Sequence, residues 1–321
     1  MATALVYGWY GRGNAGDELM KHAIAGMLRP RGFELSFVDK IGVPQLLNYD
    51  KVEGYVDAVI FGGGSILDGD PNVTPEAMEV LLAGKVPVFY VGVGIETQVH
   101  PKHQALMSVA RLVAARERDI PDLAFSLPRP DHTPSHPPHG LLVIPNVETV
   151  PTWADPHWKH VAWERYKDEF AQALDHLIDG GLEVSFLLMC SNLHMEDAWP
   201  ASELMARMKR RGTKKHVFKA GGTEVLVLLQ RHAAIVTQRY HGIILAEMAG
   251  VPYVSIDHHD KLKHATPSRG LHLPYHGVRK DELIGTIEKS LDTTLSPHLV
   301  PRQVYDDLAD KIVGIVKKCH E

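Results

Sequence analysis

The sequence contains few cysteines, no excess of basic residues and no long hydrophobic run. Cys190 and Cys319 are the only cysteines in 321 residues, which excludes a disulfide framework or a CxxC metal site and favours a reducing compartment. Lys and Arg number 34 against 39 Asp and Glu, a net charge of -5 that disfavours nucleic acid as a partner. The apolar runs fall far short of the ~20 residues needed to cross a bilayer. We therefore expect a soluble, cytoplasmic protein without a transmembrane segment.

Short β-rich runs alternate with helical patterns along the chain, which is typical of βαβ units and parallel sheets. In the first half the pattern predicts strands at residues 2–7, 33–38, 57–61, 86–91 and 112–115, and helices at residues 17–28, 76–83 and 103–112. In the second half it predicts strands at residues 141–144, 183–189, 217–218, 234–237 and 253–256, and helices at residues 163–178, 202–210, 223–231, 242–249, 281–291 and 303–317.

A segment with five prolines, residues 126–138, separates the two halves. It has no apolar periodicity, as expected for a linker. We therefore predict an α/β protein with two Rossmann-like domains, residues 1–130 and 140–300, each containing a parallel sheet. Residues 301–321 are predicted to form a further helix that crosses back to the first domain. Ligands of such folds bind at the carboxyl ends of the strands, so we expect the site residues to lie there.

The first glycine-rich loop follows the first strand and precedes a helix. Gly11, Gly13 and Gly16 match the pattern G-x-G-x-x-G, which brings a backbone close to a pyrophosphate. Two carboxylates in the first helical turn, beginning with Asp17, oppose an anion at this position and disfavour a nicotinamide dinucleotide. We interpret the segment as a ligand loop, with Asn14 and Gly16 as binding residues. Capping of the helix by Asp17 is the alternative interpretation.

Two more glycine-rich loops follow strands of the first half. Their candidate residues are Gly62, Gly63, Gly64, Ser65, Gly92 and Gly94. Consecutive glycines cost chain entropy, so they are typical of places where the backbone turns tightly or where a ligand lies against bare N–H groups. We predict that the three glycine-rich loops line one cleft and contact an acceptor or another ligand.

The most informative segment of the second half runs from Thr237 to Gly242. A buried strand ends there and an apolar helix begins, which places Arg239 and His241 at a helix N-terminus, where anions bind. An arginine can hold a carboxylate or phosphate through two parallel hydrogen bonds, and a histidine can transfer a proton near neutral pH. The alternative for His241 is a structural histidine that bonds to a backbone group.

Together these segments resemble the polysaccharide pyruvyl transferase family. The resemblance is carried by Asn14-x-Gly16-Asp17, the glycine triplet, Thr237-x-Arg239-Tyr240-His241-Gly242, Gly250-Val251-Pro252, and Lys261 within Asp260-x-x-Lys263. It implies a GT-B-like arrangement of the two domains, with the acceptor on the first and the donor on the second. It also implies transfer of a pyruvyl group from phosphoenolpyruvate to a saccharide hydroxyl, without a metal or an organic cofactor.

The resemblance implies a role for each candidate in the second half. The donor-binding residues are Arg239, Tyr240, Gly242 and Lys261. His241 is the expected general acid, and His258 and His259 are the next candidates for that role. On the acceptor side, Asp17 is expected to orient the acceptor hydroxyl or to act as its base.

One residue that the family places after the first strand of the second domain is missing here. An arginine is expected near Asn146, and the sequence has none at this point. A nucleotide-sugar-dependent glycosyltransferase on the same scaffold, acting on a glycan or a modified nucleic acid, is therefore the alternative function. A binding protein that keeps the cleft without turnover is a third hypothesis.

Overall fold

The computed structural model describes residues 1–11, 13–39, 56–71, 73–94, 98–129, 136–146, 156–191, 197–210, 214–217, 223–257, 260–263, 265 and 268–319. The chain divides into two compact units, Met1–Leu127 with Val300–Glu321, and Pro128–Leu299. Each unit contains a parallel sheet and helices. The predicted α/β class with two parallel sheets is therefore confirmed.

The first unit is built on a five-stranded sheet in which every pairing is parallel. Its strands are β1 (Ala2–Gly8), β2 (Phe33–Asp39), β3 (Ala58–Gly62), β4 (Val88–Val93) and β5 (Leu112–Ala115). Their spatial order is β2-β1-β3-β4-β5. In a doubly wound fold of this order the topological switch point lies between β1 and β3, which is where ligands bind.

Helices cover the first sheet, and the C-terminal helix belongs to this unit. The described helices are α1 (Ala15–Leu28), α2 (Pro75–Leu82), α3 (Pro101–Val109) and, at the end of the chain, α10 (Gln303–Cys319). The buried Tyr305 of α10 donates a hydrogen bond to the carbonyl of Asp122 at 2.9 Å. Arg31 forms ion pairs with Asp306 and Asp310 at 2.9 and 2.6 Å. These contacts hold α10 against the first unit.

The second unit is built on a six-stranded parallel sheet. Its strands are β6 (Leu141–Ile144), β7 (Val184–Leu188), β8 (Lys214–Val217), β9 (Ala234–Thr237), β10 (Tyr253–Asp257) and β11 (Leu271–Pro274). Their order is β11-β10-β9-β6-β7-β8. Numbered within the unit and taken from β8, this is the Rossmann order, with the switch point between β6 and β9.

The helices of the second unit bury a core rich in aromatic side chains. The described helices are α4 (Pro156–Asp179), α5 (Ala198–Arg207), α6 (Thr223–Gln230), α7 (Tyr240–Ala249), α8 (Asp260–Lys263) and α9 (Lys280–Leu291). Tyr166 of α4 lies 4.9 Å from the ring of Tyr275, and both pack with Phe186 of β7 in one buried cluster. This cluster fixes α4 and α9 on one face of the sheet.

Several elements differ from those that the sequence predicts. The short elements α8 and β11 are additional, because four residues carry too little periodicity to be recognised. Residues 214–217 form an edge strand, where the sequence predicts a strand at residues 217–218; lysines are common on edge strands. Helix α7 begins at Tyr240 rather than at residue 242. None of the helices in the described parts of the chain is long and apolar enough to cross a membrane.

Candidate functional site

In the first unit, side chains of α1 close the loop that follows β1. Asn14 is the N-cap of α1, and its side-chain oxygen accepts a hydrogen bond from the backbone N–H of Gly16 at 3.0 Å. Glu18 accepts a hydrogen bond from the backbone N–H of Gly11. Gly11 has a φ of 74°, a conformation that favours glycine. Capping is thus performed by Asn14 and not by Asp17, which corrects the capping alternative for Asp17.

The glycine triplet begins at the last residue of β3 and lets α1 lie directly on the loop that follows. A Cβ at Gly62 would overlap Ile24, and one at Gly63 would overlap Met20. A Cβ at Gly64 would lie 2.6 Å from a carboxylate oxygen of Asp17. Three residues on one face of α1 therefore each meet one glycine. This close packing explains the triplet in structural terms, and it places the nearly buried Asp17 beside Gly64.

The second and third glycine-rich loops are hydrogen-bonded to each other. The backbone N–H of Gly94 donates to the carbonyl of Gly64 at 3.0 Å, and the N–H of Gly63 donates to the carbonyl of Val91 at 3.0 Å. Ser65 is exposed. It lies next to this junction, since a Cβ at Gly94 would be 3.6 Å from the Ser65 hydroxyl oxygen. The structure thus brings Gly64, Ser65 and Gly94 together at the carboxyl ends of β3 and β4.

Packing accounts for the remaining glycine of the third loop and reveals an arginine that the sequence analysis missed. A Cβ at Gly92 would lie 2.5 Å from Leu123, and one at Gly94 would lie 2.8 Å from the guanidinium of Arg116. Arg116 is buried and forms an ion pair with the buried Asp122 at 3.5 Å. Its position directly after the half-buried strand β5 is the sequence signal that could have indicated it.

Two carboxylates, Asp17 and Glu18, lie in the first turn of α1 and make the site formed by α1 and the glycine-rich loops of the first unit acidic. The hydroxyl of Tyr10 donates to the carbonyl of Gly62. Burial, together with the carboxylates of Asp17 and Glu18, raises the pKa of Tyr10, which therefore remains a neutral hydrogen-bond donor. Two carboxylates beside the N-terminus of α1 repel an anion. These carboxylates disfavour a pyrophosphate at the N-terminus of α1.

In the second unit, Thr237 organises the turn between β9 and α7. Its hydroxyl accepts a hydrogen bond from the backbone N–H of Arg239 at 3.0 Å. A Cβ at Gly242 would overlap the same hydroxyl, so only glycine fits there. Arg239 is the N-cap residue of α7, with extended backbone angles. The spacing of Thr237, Arg239 and Gly242 in the sequence is therefore what this tight turn requires.

Arg239 forms an ion pair with Asp197, a residue that the sequence analysis missed. Asp197 is completely buried, and its second carboxylate oxygen accepts hydrogen bonds from the backbone N–H groups of Met189 and Cys190 at 2.9 and 3.0 Å. Burial raises the pKa of Asp197, while Arg239 and the two backbone donors act in the opposite direction. No local pattern could have indicated Asp197, because it lies 42 residues from Arg239 in the sequence.

The other candidates of the second unit lie in different environments. His241 is half-buried in the first turn of α7, with its ring edge-on to Tyr240 at 5.2 Å. Tyr240 itself is buried, and its role in donor binding stays a prediction. Lys261 is half-buried on α8, which packs against α7. His258 and His259 lie outside the described residues.

The switch point of the second sheet carries a pair of amides. The side-chain oxygen of Gln238, which follows β9, accepts a hydrogen bond from the backbone N–H of Asn146, which follows β6, at 3.3 Å. Both residues are buried. The place where the resemblance leads us to expect an arginine is therefore occupied by uncharged polar groups. Across the described parts of the chain, no group of three or more His, Cys, Asp or Glu residues is arranged to hold a metal.

Comparisons with known proteins identify the fold. Neither protein-family models nor curated protein sequences give a match to this sequence, so no model of the polysaccharide pyruvyl transferase family matches it. Among solved structures, UDP-GlcNAc 2-epimerase from Methanocaldococcus jannaschii matches with a TM-score of 0.62 and 11% identity, over 98% of this chain and 100% of that one. The same enzyme in complex with UDP-GlcNAc and UDP gives a TM-score of 0.60 at 10% identity, over 98% of this chain and 100% of that one.

A third structure, UDP-GlcNAc 2-epimerase from Neisseria meningitidis bound to UDP-GlcNAc, matches with a TM-score of 0.57 and 9% identity, over 99% of each chain. The chain has a GT-B-like fold. This confirms the fold that the resemblance implied. At identities this low the similarity extends to the fold alone, and no activity follows from it directly.

Proposed function

We propose that this protein is an enzyme that binds a nucleotide sugar and transfers the sugar to a saccharide hydroxyl. The observation that carries the proposal is the arrangement at the switch point of the second sheet. There the N-terminus of α7, with Arg239 as its N-cap residue, lies beside the uncharged pair of Asn146 and Gln238. A helix N-terminus offers backbone N–H groups and a partial positive charge, which suit a diphosphate.

The charge balance of this site favours a nucleotide sugar over phosphoenolpyruvate. Phosphoenolpyruvate presents a phosphate monoester and a carboxylate close together, and such a ligand needs several cations. The Arg239 guanidinium is already shared with the carboxylate of Asp197. A nucleotide sugar spreads its charge over a diphosphate bridge and carries a neutral base and sugar, so buried amides and a helix N-terminus are better partners for it. The GT-B-like fold, which this chain shares with proteins bound to UDP-GlcNAc, supports the same ligand class.

Each unit has a separate role in this proposal. The second unit binds the donor through Arg239 and the N-terminus of α7, and His241 stabilises the negative charge that develops on the departing diphosphate. The first unit binds the acceptor in its acidic site, where Asp17 orients the acceptor hydroxyl or takes its proton. Ser65, exposed beside Gly64 and Gly94, supplies a hydroxyl group for the saccharide, whereas the backbone N–H groups of Gly16 and Gly94 are already bonded within the loops.

Transfer of a pyruvyl group from phosphoenolpyruvate is the second candidate function. The segment Arg239-Tyr240-His241-Gly242 favours it, because the resemblance to polysaccharide pyruvyl transferases is most specific there. In that reaction His241 would donate a proton to the enol carbon or to the departing phosphate. The two candidate functions share Arg239 and His241 and differ in the donor, so donor binding separates them.

Binding and product analysis test the proposal together. We expect UDP and UDP-GlcNAc to raise the thermal midpoint, and phosphoenolpyruvate and NAD at the same ionic strength to leave it unchanged. A ligand at one hundred times its Kd stabilises a protein by ~2.7 kcal/mol. The shift should be lost in Arg239→Ala and kept in Arg165→Ala, an exposed arginine on α4.

Chromatography of the products then identifies the reaction. Release of UDP that depends on a saccharide acceptor supports glycosyl transfer, whereas a new sugar epimer without an acceptor indicates epimerisation of the same donor. Stabilisation without any product indicates a binding protein. A shift with phosphoenolpyruvate alone would contradict the proposal and support the second candidate.

A further inference from the structure

A serine, a histidine and an aspartate form a hydrogen-bonded series at the edge of the second sheet. His272 lies on the edge strand β11, opposite Ser255 of β10 in the strand register. Asp257 ends β10, and Ser268 precedes β11. The proposed donor site lies at β6 and β9, and the proposed reaction uses none of these residues.

The three side chains are connected through opposite nitrogens of one imidazole ring. His272 Nδ1 lies 2.9 Å from a carboxylate oxygen of Asp257, and His272 Nε2 lies 2.6 Å from the hydroxyl oxygen of Ser268. Asp257 is buried, and its other oxygen accepts a hydrogen bond from the hydroxyl of Ser255 at 2.6 Å. The carboxylate is therefore held in place by a group outside the series.

The carboxylate determines where the protons lie. Asp257 can only accept at this contact when it is ionised, so His272 carries its proton on Nδ1. A neutral imidazole with a proton on Nδ1 has a free electron pair on Nε2, which then accepts the hydroxyl proton of Ser268. This is the arrangement in which a histidine acts as a base towards a serine and an aspartate fixes its tautomer.

Further contacts hold Ser268 without covering it. The hydroxyl of Tyr253 donates to Glu247 at 3.0 Å and therefore can only accept from Ser268, whose hydroxyl oxygen lies 3.2 Å away. His272 Nε2 lies closer to that oxygen, at 2.6 Å, so the single Ser268 proton points to His272 and Tyr253 is a weak competitor for it. Glu247 is buried and also accepts from the guanidinium of Arg269 at 2.7 Å. Ser268 is half-buried, and 27% of the His272 side chain is exposed. Both side chains are therefore partly exposed to solvent.

We propose that Ser268 is an activated nucleophile that accepts an acyl group from a carboxylic ester. Its hydroxyl oxygen bonds to the ester carbonyl carbon while its proton moves to His272 Nε2. The bond from the carbonyl carbon to the alkoxy oxygen breaks, and the departing alkoxide takes the proton from Nε2. The product is an ester of Ser268, which water hydrolyses by the same proton transfers in the opposite direction.

A fluorophosphonate is a probe for this chemistry, because the same attack forms an oxygen–phosphorus bond and expels fluoride. The complete protein is treated with the probe, and the modified serines are identified and their rates measured by peptide mass spectrometry. Ser108 serves as the internal control, since it is exposed and its hydroxyl donates to the backbone carbonyl of Ala105 at 2.7 Å. We expect Ser268 to react at least ~100-fold faster than Ser108, the lower range of the effect of a positioned base.

Variants identify the source of the reactivity. Ser268→Ala should abolish the fast modification, and His272→Gln should slow it by ~10²-fold or more while circular dichroism shows a folded protein. Equal rates of modification at Ser268 and Ser108 in the wild-type protein would overturn the proposal, whether or not the variants fold. A folded His272→Gln protein with an unchanged rate at Ser268 would also overturn it. None of these outcomes depends on the donor, so the result is separate from that of the proposed function.

Discussion

The buried carboxylate of Asp197 holds the guanidinium of Arg239, 42 residues further along the chain, in an ion pair. The carboxylate also accepts two backbone hydrogen bonds at the end of β7. One side chain therefore connects the carboxyl ends of β7 and β9 and fixes the direction in which Arg239 points. A preoriented arginine loses less conformational entropy when it binds an anion.

Two substitutions of Asp197 should separate the contribution of its hydrogen bonds to stability from the contribution of its charge. Asp197→Ala leaves the buried N–H groups of Met189 and Cys190 without their acceptor, at ~1–3 kcal/mol for each group. Asp197→Asn keeps an acceptor oxygen for both. Two such groups total ~2–6 kcal/mol, and ~1 kcal/mol shifts the midpoint of a domain of this size by ~2–4 °C, so we expect the thermal midpoint of the Ala variant to lie at least ~4 °C below that of the Asn variant. Equal midpoints would show that the two hydrogen bonds contribute little.

Asp168→Ala is the control for this pair. Asp168 forms an ion pair with Arg207 at 2.9 Å, and 59% of its side chain is exposed. Exposed pairs contribute ~0–1 kcal/mol. The control should therefore change the midpoint by no more than a few degrees.

The pH dependence of stability should report on the burial of Asp197. Because burial raises the pKa of this carboxyl in the folded protein, the proton is held more tightly there than in the unfolded chain. Its contribution to stability is therefore largest below the unfolded pKa, near ~4, and is lost as the pH rises through the folded pKa. We expect wild type to lose stability relative to Asp197→Asn as the pH rises from about 4 to 7. A relative gain over this range would mean that the attraction of Arg239 outweighs burial.

Two glycines of the first unit should respond to alanine with opposite changes in stability, because one is closely packed and the other lies at an open helix position. Gly64 has a φ of 72°, and a Cβ there would lie 2.6 Å from the Asp17 carboxylate. We expect Gly64→Ala to destabilise the protein by more than ~1 kcal/mol, since both backbone strain and a steric overlap arise. Gly26 lies on the exposed face of α1, with no atom within 4 Å of a Cβ at that position. Gly26→Ala should therefore stabilise by ~0.5–1 kcal/mol. Thermal midpoints of the two variants test both signs.

The sequence predicts most of the fold because its signals are local. Buried strands such as residues 141–144 and amphipathic helices such as residues 17–28 carry local signals, and the structure confirms both, with only the start of the helix shifted to Ala15. The edge strand β11 carries no such signal, because its four residues alternate only weakly between buried and exposed positions. Its pairing with β10 is determined by tertiary contacts.

The candidate site is predictable from the sequence only in part, because sequence signals are local and some contacts of the site join distant segments. The turn from Thr237 to Gly242 is recognisable because its residues are adjacent in the sequence. The partner of Arg239 is not, since Asp197 reaches it only through the folded sheet. The glycine triplet is also ambiguous from sequence: bare backbone for a ligand and close approach of α1 both require glycine, and the structure shows the packing against Met20 and Ile24.

Substitutions of Arg239 should weaken donor binding in two steps. Arg239→Lys keeps the positive charge but loses the planar donor groups that bind both Asp197 and an anion. Arg239→Ala removes the charge as well. A hydrogen bond to a charged group contributes ~1.5–3 kcal/mol, so we expect at least ~10-fold weaker binding of UDP to the Ala variant and an intermediate loss for the Lys variant. Titration calorimetry gives both affinities. Unchanged affinity in the Ala variant would remove Arg239 from the donor site.

His241 should influence turnover more than donor affinity. It lies in the first turn of α7, next to the proposed diphosphate position, where an imidazolium can stabilise the charge on the departing group. We expect His241→Ala to lower kcat by ~10²–10⁴-fold, with a much smaller change in the Kd of UDP. His241→Gln should resemble the Ala variant, because a neutral amide keeps a hydrogen bond but supplies neither a proton nor a charge. Steady-state rates and calorimetric affinities of both variants provide the test. A Gln variant with wild-type kcat would show that His241 only positions the donor.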